Sequence, residues 1–425
     1  PHGDRAETYR RMLTAVYNEV KRERPDVRVV GGATAGVPLP YWEKLLANGA
    51  LQYMDVLSVH PYRYDAAPEG LETDIAELQA LVGKYNRGMS KPIWVTEIGW
   101  NTRAAQAGDL AIDDLMQAQY LVRSYALLFS ANVERVYWYL FRDYNDALMG
   151  LVRSDALATP KPAFAAMATM TQLLRHAELA GRDRTPSDIF SICFRRPSGE
   201  KVRVMWSLKP QAVAASGVTG VTDMLGGSLG SSGALQLGES PIYVVGDVQG
   251  LPEPAGELMA HSQKGFAGSQ RHNGWSYGYM RGEKSAFIEL PAHGADDWRA
   301  VWRGELPFLT VSAKEQHPSV RDGMPIAAVR RWESDRQVTV RIAGTFKAGA
   351  QGGDGVGVAV DVNGERRFRK LLGGDSAAPV AEEFELVETV QPGTTVDFVV
   401  DPGPAASIDH DGVAVSATIS ALHEG

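Results

Sequence analysis

The sequence has 425 residues, of which 44% are hydrophobic and 22% are charged, and its formal net charge at pH 7 is −8. A chain of this length can form about three domains and bury more than one core, which excludes a peptide, a coiled coil and a disordered tail. The negative charge disfavours nucleic acid as a partner, because a phosphate backbone would be repelled. No apolar run approaches the roughly 20 residues that a membrane-spanning helix needs. We therefore expect no such helix.

The first part of the sequence alternates short apolar strands with amphipathic helices, a pattern typical of parallel strands covered by helices. Asp4 and Glu7 predict a capping box that begins a first helix, and residues 1–10 contain no apolar core of a leader peptide. Further helices are predicted at Leu71–Tyr85, Asp113–Phe129 and after Pro162. The predicted strands are Val27–Val30, Val56–Val59, Ile93–Thr96 and Val136–Leu140.

From about residue 183 helical periodicity stops, and glycine, serine and short alternating strands take over. Strands at Lys201–Ser207 and Pro241–Val245 predict a small β-domain, and the glycine- and serine-rich stretch 226–233 is predicted to be a turn rather than a phosphate cradle. The stretch Leu251–Gly256 predicts a linker. Strands at Ser285–Leu290, Gln337–Ile342, Val356–Val362 and Thr395–Val400 then predict a jelly-roll-type β-sandwich.

Cysteine usage limits the kinds of site that the chain can hold. Cys193 is the only cysteine, so an internal disulfide and a cysteine-rich zinc or iron–sulfur site are excluded. Its apolar neighbours Ile192 and Phe194 predict a buried, unreactive thiol. We expect no cofactor and no metal. Calcium at Asp354, Asp409 and Asp411 is a weaker alternative, because their spacing alone carries little information.

The stretch from Lys91 to Asn101 carries the clearest chemical signal. Glu97 stands where an apolar strand ends, and Gly99 and Trp100 follow it. A carboxylate in this place would lie at the mouth of a parallel barrel, where such enzymes keep their active sites. The alternative is a solvated acid in a loop.

Four segments together resemble the clan A glycoside hydrolases, which are retaining enzymes on a (β/α)8 barrel. Thr96-Glu97-Ile98-Gly99-Trp100 is similar to their seventh-strand motif, in which the Glu is the nucleophile. The segments Val27–Ala33, Asp55–Tyr62 and Arg135–Asp143 resemble the fifth, sixth and eighth strands. The resemblance covers about residues 4–175. It implies an α/β plus all-β chain with the C-terminal half of a barrel in residues 1–182, a small β-domain in 183–250 and a sandwich in 257–425.

The resemblance also implies substrate-binding residues around Glu97. His60 and Tyr62 would line the sugar subsite, although His60 could instead be a hydrogen-bonded structural residue, and Tyr62 could steer Glu97. Trp138 and Tyr139 alternate along one strand, so only one can face the barrel axis. We predict that Trp138 does so and that Trp100 forms a second platform, with core packing as the alternative for Trp138. Arg142 and Asp143 are expected to form surface ion pairs.

The second catalytic carboxyl group is missing from the sequence pattern. Retaining hydrolysis needs a nucleophilic carboxylate and a protonated carboxyl group roughly 5–5.5 Å apart. In the clan, the acid/base Glu follows an Asn at the end of the fourth strand, but Asn18-Glu19 lies inside the first helix, where Glu19 is predicted to be a surface acid. The chain is therefore either a fragment whose preceding half-barrel supplies the acid or an inactive remnant. The open edge of four strands favours the fragment.

The resemblance implies a hydrolase of polysaccharides or oligosaccharides that is secreted or exposed on the cell surface. The sandwich resembles modules attached to bacterial carbohydrate enzymes, and Trp275, Tyr277 and Trp332 would either bind a glycan or pack in its core. Two other classes stay open. One is a carbohydrate-binding protein with a degenerate barrel, and the other is a structural surface protein whose sandwiches mediate association.

Overall fold

The chain folds into two compact units, Pro1–Pro254 and Ala255–Gly425, and strands predominate over helices. The computed structural model describes residues 4–64, 66–102, 112–145, 147–230, 233–252, 256–282, 285–295, 299–349, 355–373, 380–403 and 411–422. The division between the units falls inside the predicted linker. Asp354 and Asp409, two of the residues weighed for calcium, lie outside the described residues.

Five α-helices are described, all in the first unit: α1 Arg5–Glu23, α2 Leu39–Ala47, α3 Leu71–Tyr85, α4 Asp114–Ser130 and α5 Pro162–Leu174. A short 3-10 helix spans Ala50–Tyr53. Asp4 caps α1 as predicted, because its carboxylate accepts the backbone N–H groups of Ala6 and Glu7. The carboxylate of Glu7 instead pairs with Arg10. None of these helices is long and apolar enough to span a membrane.

A four-stranded parallel sheet follows the order β1 Val30–Ala35, β2 Val56–His60, β3 Ile93–Ile98 and β4 Arg135–Trp138. The first strand begins later than predicted and includes Gly31 and Gly32. Gly32 has φ +112°, and a Cβ there would lie 2.5 Å from the carbonyl oxygen of Ser58. Glycine is therefore required for close pairing of β1 with β2, and of the predicted strand Val27–Val30 only Val30 belongs to β1.

The rest of the first unit is antiparallel. Its strands are β5 Glu178–Arg182, β6 Ile189–Arg195, β7 Lys201–Ser207, β8 Gln211–Ala214, β9 Ser216–Asp223, β10 Ser228–Leu229, β11 Ala234–Leu237 and β12 Ile242–Gln249. Six of them form a sheet in the order β10-β9-β12-β7-β6-β5, and β8 pairs with β11. The core between this sheet, α4 and α5 contains Leu121, Ala166, Phe190 and Trp206. The predicted barrel segment and the predicted small β-domain thus share a core.

The second unit consists of two antiparallel sheets in its described parts. Its strands are β13 Gly256–His261, β14 Trp275–Arg281, β15 Ile288–Glu289, β16 Ala292–Ala295, β17 Ala300–Arg303, β18 Thr310–Ser312, β19 Glu315–His317, β20 Ser319–Arg321, β21 Met324–Glu333, β22 Val338–Ala348, β23 Val356–Val362, β24 Glu365–Leu372, β25 Val380–Val390, β26 Thr395–Asp401 and β27 Val413–Leu422. One sheet has the order β16-β17-β18-β19-β27-β22-β25 with β13 on β27, and the other has the order β15-β14-β21-β26-β23-β24 with β20 on β21. Side chains from both sheets, including Phe346 and Phe398, form one core.

Candidate active site

Glu97 lies near the carboxyl end of β3, beside the end of β2. The phenol of Tyr62 donates a hydrogen bond of 2.8 Å to Glu97 Oε2. His60 Nδ1 lies 3.3 Å from the same oxygen. The carboxyl ends of parallel strands meet at one edge of their sheet, which is why residues 35 to 37 positions apart in sequence come together here. The Glu97 side chain is 35% exposed, so a solvent-borne ligand can reach it.

The turn after β2 places Tyr62 over the end of β3. The carbonyl oxygen of His60 accepts backbone N–H groups from Tyr62, at 2.7 Å, and from Gly36 beyond β1, at 2.8 Å. The Tyr62 ring stacks on Tyr64, with ring centroids 5.1 Å apart and planes inclined by 12°. It also makes an edge contact with Tyr139 at 6.5 Å. The phenol is thereby fixed in direction before any ligand arrives.

Burial and the bond to Glu97 both act on Tyr62. Burial disfavours the charged phenolate, and the hydrogen bond to the Glu97 carboxylate adds to this effect, so the pKa of Tyr62 is raised far above its ordinary value. The phenol consequently keeps its proton throughout the neutral range. Tyr62 can act as a hydrogen-bond donor to Glu97, but it cannot act as a base there.

A row of polar side chains lies next to Glu97 on the same two strands. Ser58 Oγ lies 2.6 Å from Thr96 Oγ1, and Thr96 Oγ1 lies 2.8 Å from His60 Nε2. We did not predict Ser58 and Thr96 as site residues. Alternation was the signal that could have found them: Ser58 and His60 are two residues apart in a strand whose other members are apolar, so they share one face of the sheet.

The predicted roles of Trp138 and Tyr139 need correction. Trp138 packs against the cores on the helix side of the sheet, and its indole N–H donates to the Met149 carbonyl oxygen at 2.7 Å. Tyr137 and Tyr139 are exposed on the other face. The residue that lies beside Tyr62 is therefore Tyr139 and not Trp138. The alternation was predicted correctly, but the larger ring was assigned to the wrong face.

Trp100 is also enclosed rather than presented to solvent. It is 2% exposed, donates from its indole N–H to the Ala66 carbonyl oxygen at 3.0 Å and lies against Trp138 with ring centroids 6.1 Å apart. A sugar ring cannot stack on a face that protein atoms already cover. The structure thus makes Trp100 a support of the site, and the platform role expected for it does not fit this environment.

The segment after β4 is held by a buried ion pair. Lys161 Nζ lies 2.9 Å from Asp143 Oδ1, and both side chains are almost fully buried. The same Asp143 oxygen accepts the backbone N–H of Gly150 at 2.7 Å, and Lys161 also donates to the Leu148 carbonyl oxygen at 3.0 Å. Asp143 is therefore not the surface residue predicted from the sequence. Arg142 is exposed and donates to the backbone oxygens of Ser154 and Asp155.

Two other predicted side chains lie where the sequence indicated. Glu19 is exposed and pairs with Arg22 on the surface of α1. Cys193 is buried in β6, and burial raises the pKa of its thiol, which keeps it protonated and unreactive. In the described part of the chain, no three His, Cys, Asp or Glu side chains are grouped so that they could hold a metal ion.

The aromatic residues proposed for the sandwich belong to its core. Trp275, Tyr277 and Trp332 are buried between the two sheets. Of the two alternatives for these residues, the structure therefore supports core packing and not glycan binding. A cavity of about 310 Å³ lies elsewhere in this unit, lined by Tyr279, Arg281, Ile288, Glu289, Pro291, Glu305, Leu306, Leu309 and Arg321.

One family model matches a segment in the first part of the chain. Residues 6–160 match the family model described as the glycosyl hydrolase catalytic core. The resemblance to clan A glycoside hydrolases is therefore confirmed. The matched segment contains β1 to β4, Glu97, His60 and Tyr62. A search of curated proteins found no match to this chain.

Several solved structures of carbohydrate enzymes are similar to the chain at low identity. A beta-porphyranase of glycoside hydrolase family 86 from Bacteroides plebeius is 12% identical with a TM-score of 0.43, over 99% of this chain and 74% of that one. The catalytic domain of a family 30 xylanase C from Talaromyces cellulolyticus is 17% identical with a TM-score of 0.40, over 57% of each chain. A glucosidase from Croceicoccus marinus is 12% identical with a TM-score of 0.39, over 93% of this chain and 64% of that one. Similarities of this size do not identify a substrate.

Proposed function

We propose that this chain carries the nucleophile of a retaining glycoside hydrolase that acts on a polysaccharide or an oligosaccharide. The observation that supports this most is the environment of Glu97. One carboxylate oxygen, Oε2, is held by Tyr62 and approached by His60, and the side chain is partly open to solvent. A fixed and accessible carboxylate is what nucleophilic attack on an anomeric carbon requires.

The proposed reaction has two steps. Glu97 attacks the anomeric carbon and forms a glycosyl ester while the bond to the leaving oxygen breaks, and that oxygen takes a proton from an acid residue. Water then attacks the same carbon and releases Glu97. The residue that acted as the acid now acts as a base and takes a proton from this water. Within the described residues, the contacts of Glu97 are to Tyr62 and His60 and not to a second carboxyl group.

We further propose that the acid/base residue and four preceding strands lie in a polypeptide segment outside this sequence. Two features support this. β1 forms one end of the parallel sheet in the described part of the chain. On α1, Met12 and Val16 are 56% and 49% exposed, although both are apolar. A preceding half-barrel would cover these surfaces. Without the acid, whose contribution is typically ~10²–10⁴-fold in rate, the chain alone would have little activity.

Aromatic side chains around Glu97 support a carbohydrate substrate. Tyr64 and Tyr139 are exposed, and both contact the ring of Tyr62, which bonds Glu97. Exposed aromatic faces on one side of a carboxylate suit the apolar C–H face of a sugar ring, while the carboxylate and phenol suit its polar atoms.

Covalent labelling tests the nucleophile directly. The full-length protein would be treated with a panel of activated 2-fluoro glycosides, which form the glycosyl ester but hydrolyse slowly, and the labelled peptide would be located by mass spectrometry. We expect a mass increase of one glycosyl group on Glu97. The Glu97→Gln variant should not be labelled, whereas the exposed-acid control Glu19→Gln should be labelled like the native protein. Labelling of another residue would contradict the assignment.

A carbohydrate-binding protein with a degenerate barrel is the second candidate, because no second carboxyl group contacts Glu97 among the described residues. The two candidates differ in the response of the Glu97→Gln variant. If the full-length protein binds glycans equally well before and after this substitution and never turns them over, the binding protein is the correct function.

A further inference from the structure

Ser58, Thr96 and His60 form a chain of three polar side chains that ends beside Glu97. The chain runs from Ser58 Oγ to Thr96 Oγ1 at 2.6 Å and from Thr96 Oγ1 to His60 Nε2 at 2.8 Å. The opposite ring nitrogen, Nδ1, lies 3.3 Å from Glu97 Oε2. The reaction described above uses neither hydroxyl group, so their arrangement needs a separate explanation.

The direction of these hydrogen bonds follows from burial. Ser58 is 2% exposed, and Thr96 is the hydrogen-bond partner of its hydroxyl in the described structure. A buried hydroxyl that donates to nothing is costly. Ser58 must therefore donate to Thr96, and Thr96, whose oxygen accepts that bond, has its own proton left to donate to His60 Nε2. The proton of the neutral imidazole is then on Nδ1, facing Glu97.

The other protonation patterns of the ring each leave an unfavourable contact. With the proton on Nε2, the ring would donate to Thr96 Oγ1, so either the Ser58 proton or the Thr96 proton would have no acceptor among these side chains. The Nδ1 lone pair would then face the Glu97 carboxylate. A doubly protonated ring likewise leaves one of the two hydroxyl protons without an acceptor among these side chains. One arrangement satisfies all three side chains and also directs a donor toward Oε2.

We propose that Ser58 and Thr96 are positioning residues that hold His60 in its Nδ1–H form, so that Glu97 Oε2 faces donors from both His60 and Tyr62. The Tyr62 hydrogen bond and the His60 N–H, 3.3 Å away, both favour negative charge on Oε2 and leave the other oxygen, Oε1, as the attacking atom. The catalytic consequence rests on the proposed function, whereas the tautomer of His60 is a property of this chain alone and can be tested without any activity.

Nitrogen NMR of the 425-residue chain tests the tautomer. The protein would be labelled with ¹⁵N at histidine, and the His60 signals would be assigned by their loss in His60→Gln. Spectra would be recorded at a pH where titration shows the ring to be neutral. We expect a pyrrole-type nitrogen at Nδ1 and a pyridine-type nitrogen at Nε2. A pyrrole-type Nε2 in the native chain would overturn the inference.

Matched variants test the two hydroxyl groups. Thr96→Val keeps the branched shape and removes the hydroxyl, so we expect His60 to move toward the Nε2–H form or a mixture. Thr96→Ser keeps the hydroxyl and should retain the native pattern. Ser58→Ala removes the first donor and should give a mixture. Thermal unfolding would establish that each variant is folded. An unchanged tautomer in a folded Thr96→Val protein would overturn the role of the hydroxyl chain.

Kinetics of the full-length protein then test the consequence for Glu97. In Thr96→Val we expect kcat/KM to fall about tenfold, as for the loss of one hydrogen bond to a charged group, and Thr96→Ser should restore it. A Thr96→Val enzyme with native kcat/KM would overturn the link to Glu97. Failure of Glu97 to be labelled would instead contradict the proposed function and would leave the NMR result unaffected.

Discussion

At the scale of single residues, Tyr62 positions the carboxylate of Glu97, the proposed nucleophile. Its phenol is a neutral donor fixed by stacking on Tyr64 and by the bond to Glu97. Because burial and the Glu97 carboxylate raise its pKa, loss of its proton cannot explain a fall in activity just above neutral pH. The side chain therefore acts through its hydrogen bond alone.

Removal of that hydrogen bond gives the first residue-scale prediction. In the full-length enzyme, Tyr62→Phe keeps the ring but removes the donor to Glu97, and we expect kcat/KM to fall about 10- to 100-fold. The control is Tyr64→Phe, which keeps the stacked ring and should change kcat/KM by less. Equal effects of the two substitutions on kcat/KM would show that the Tyr62 bond has no special role.

The sequence was sufficient to predict that Glu97, His60 and Tyr62 lie close together, because each lies at or just after the end of a strand. It was insufficient for Trp138 and Tyr139. Neighbouring residues in a strand lie on opposite faces of the sheet, but this rule does not say which of the two faces the core. Their orientation depends on the helices that cover the sheet. Sequence also could not show that Trp100 is covered, because its neighbours Ala66 and Trp138 are distant in the chain.

At the scale of elements, the buried pair of Asp143 and Lys161 ties the segment after β4 to the start of α5. Breaking such a pair leaves one buried charge without a partner, which typically costs about 3–5 kcal/mol. We expect Lys161→Met to lower the free energy of unfolding by this amount in urea titrations. The exposed control Arg142→Ala should change the free energy of unfolding by far less. Equal losses in the two variants would show that the buried pair does not stabilise the fold more than a surface residue does.

Asp55 joins three elements at the other end of the sheet. It pairs with Lys21 of α1 at 2.8 Å and accepts the backbone N–H of Val29, just before β1, at 2.7 Å. Burial alone would raise the pKa of Asp55, but these two donors outweigh it and the pKa is lowered. A lowered pKa in the folded state contributes stability that is present above the unfolded pKa and is lost as the pH falls through the folded value.

The corresponding prediction concerns stability against acid. Asp55→Asn should lower the free energy of unfolding by about 1–2 kcal/mol at pH 7. The difference from the native protein should shrink as the pH falls below about 4, where the unfolded carboxyl group is already protonated. Unfolding by urea at several pH values measures it. A constant difference from pH 7 to acid pH would contradict the role of ionised Asp55.

At the scale of the whole molecule, we expect the second unit to fold on its own, whereas the first unit should not fold if it is cut between its helices and its six-stranded sheet. The second unit has its own core in which both of its sheets take part. We expect residues 256–425 to fold alone, with a cooperative thermal transition and the near-ultraviolet circular dichroism of buried Trp275, Trp302 and Trp332. A non-cooperative transition would show that the contacts within this unit are insufficient.

The first unit should not tolerate a comparable cut. One predicted boundary, at residue 183, falls inside the core that α4 and α5 share with the six-stranded sheet. Residues 4–177 would leave the buried face of α4 exposed, and we expect this fragment to aggregate or to bind the dye ANS. A soluble fragment with native-like helical content and no dye binding would contradict this. Composition revealed where strands replace helices, but not that the two parts share side chains.

Helix α4 has consequences for how such a gene could evolve. Twelve consecutive residues of this helix, from Gln117 to Leu128, are buried. Almost every substitution on these turns would therefore change a buried contact. Recombination that exchanged the six-stranded sheet for another appendage would require a new surface on α4 at the same time. The ancestry of that sheet should therefore follow the ancestry of the catalytic core, while the sandwich could have been gained or lost in a single event.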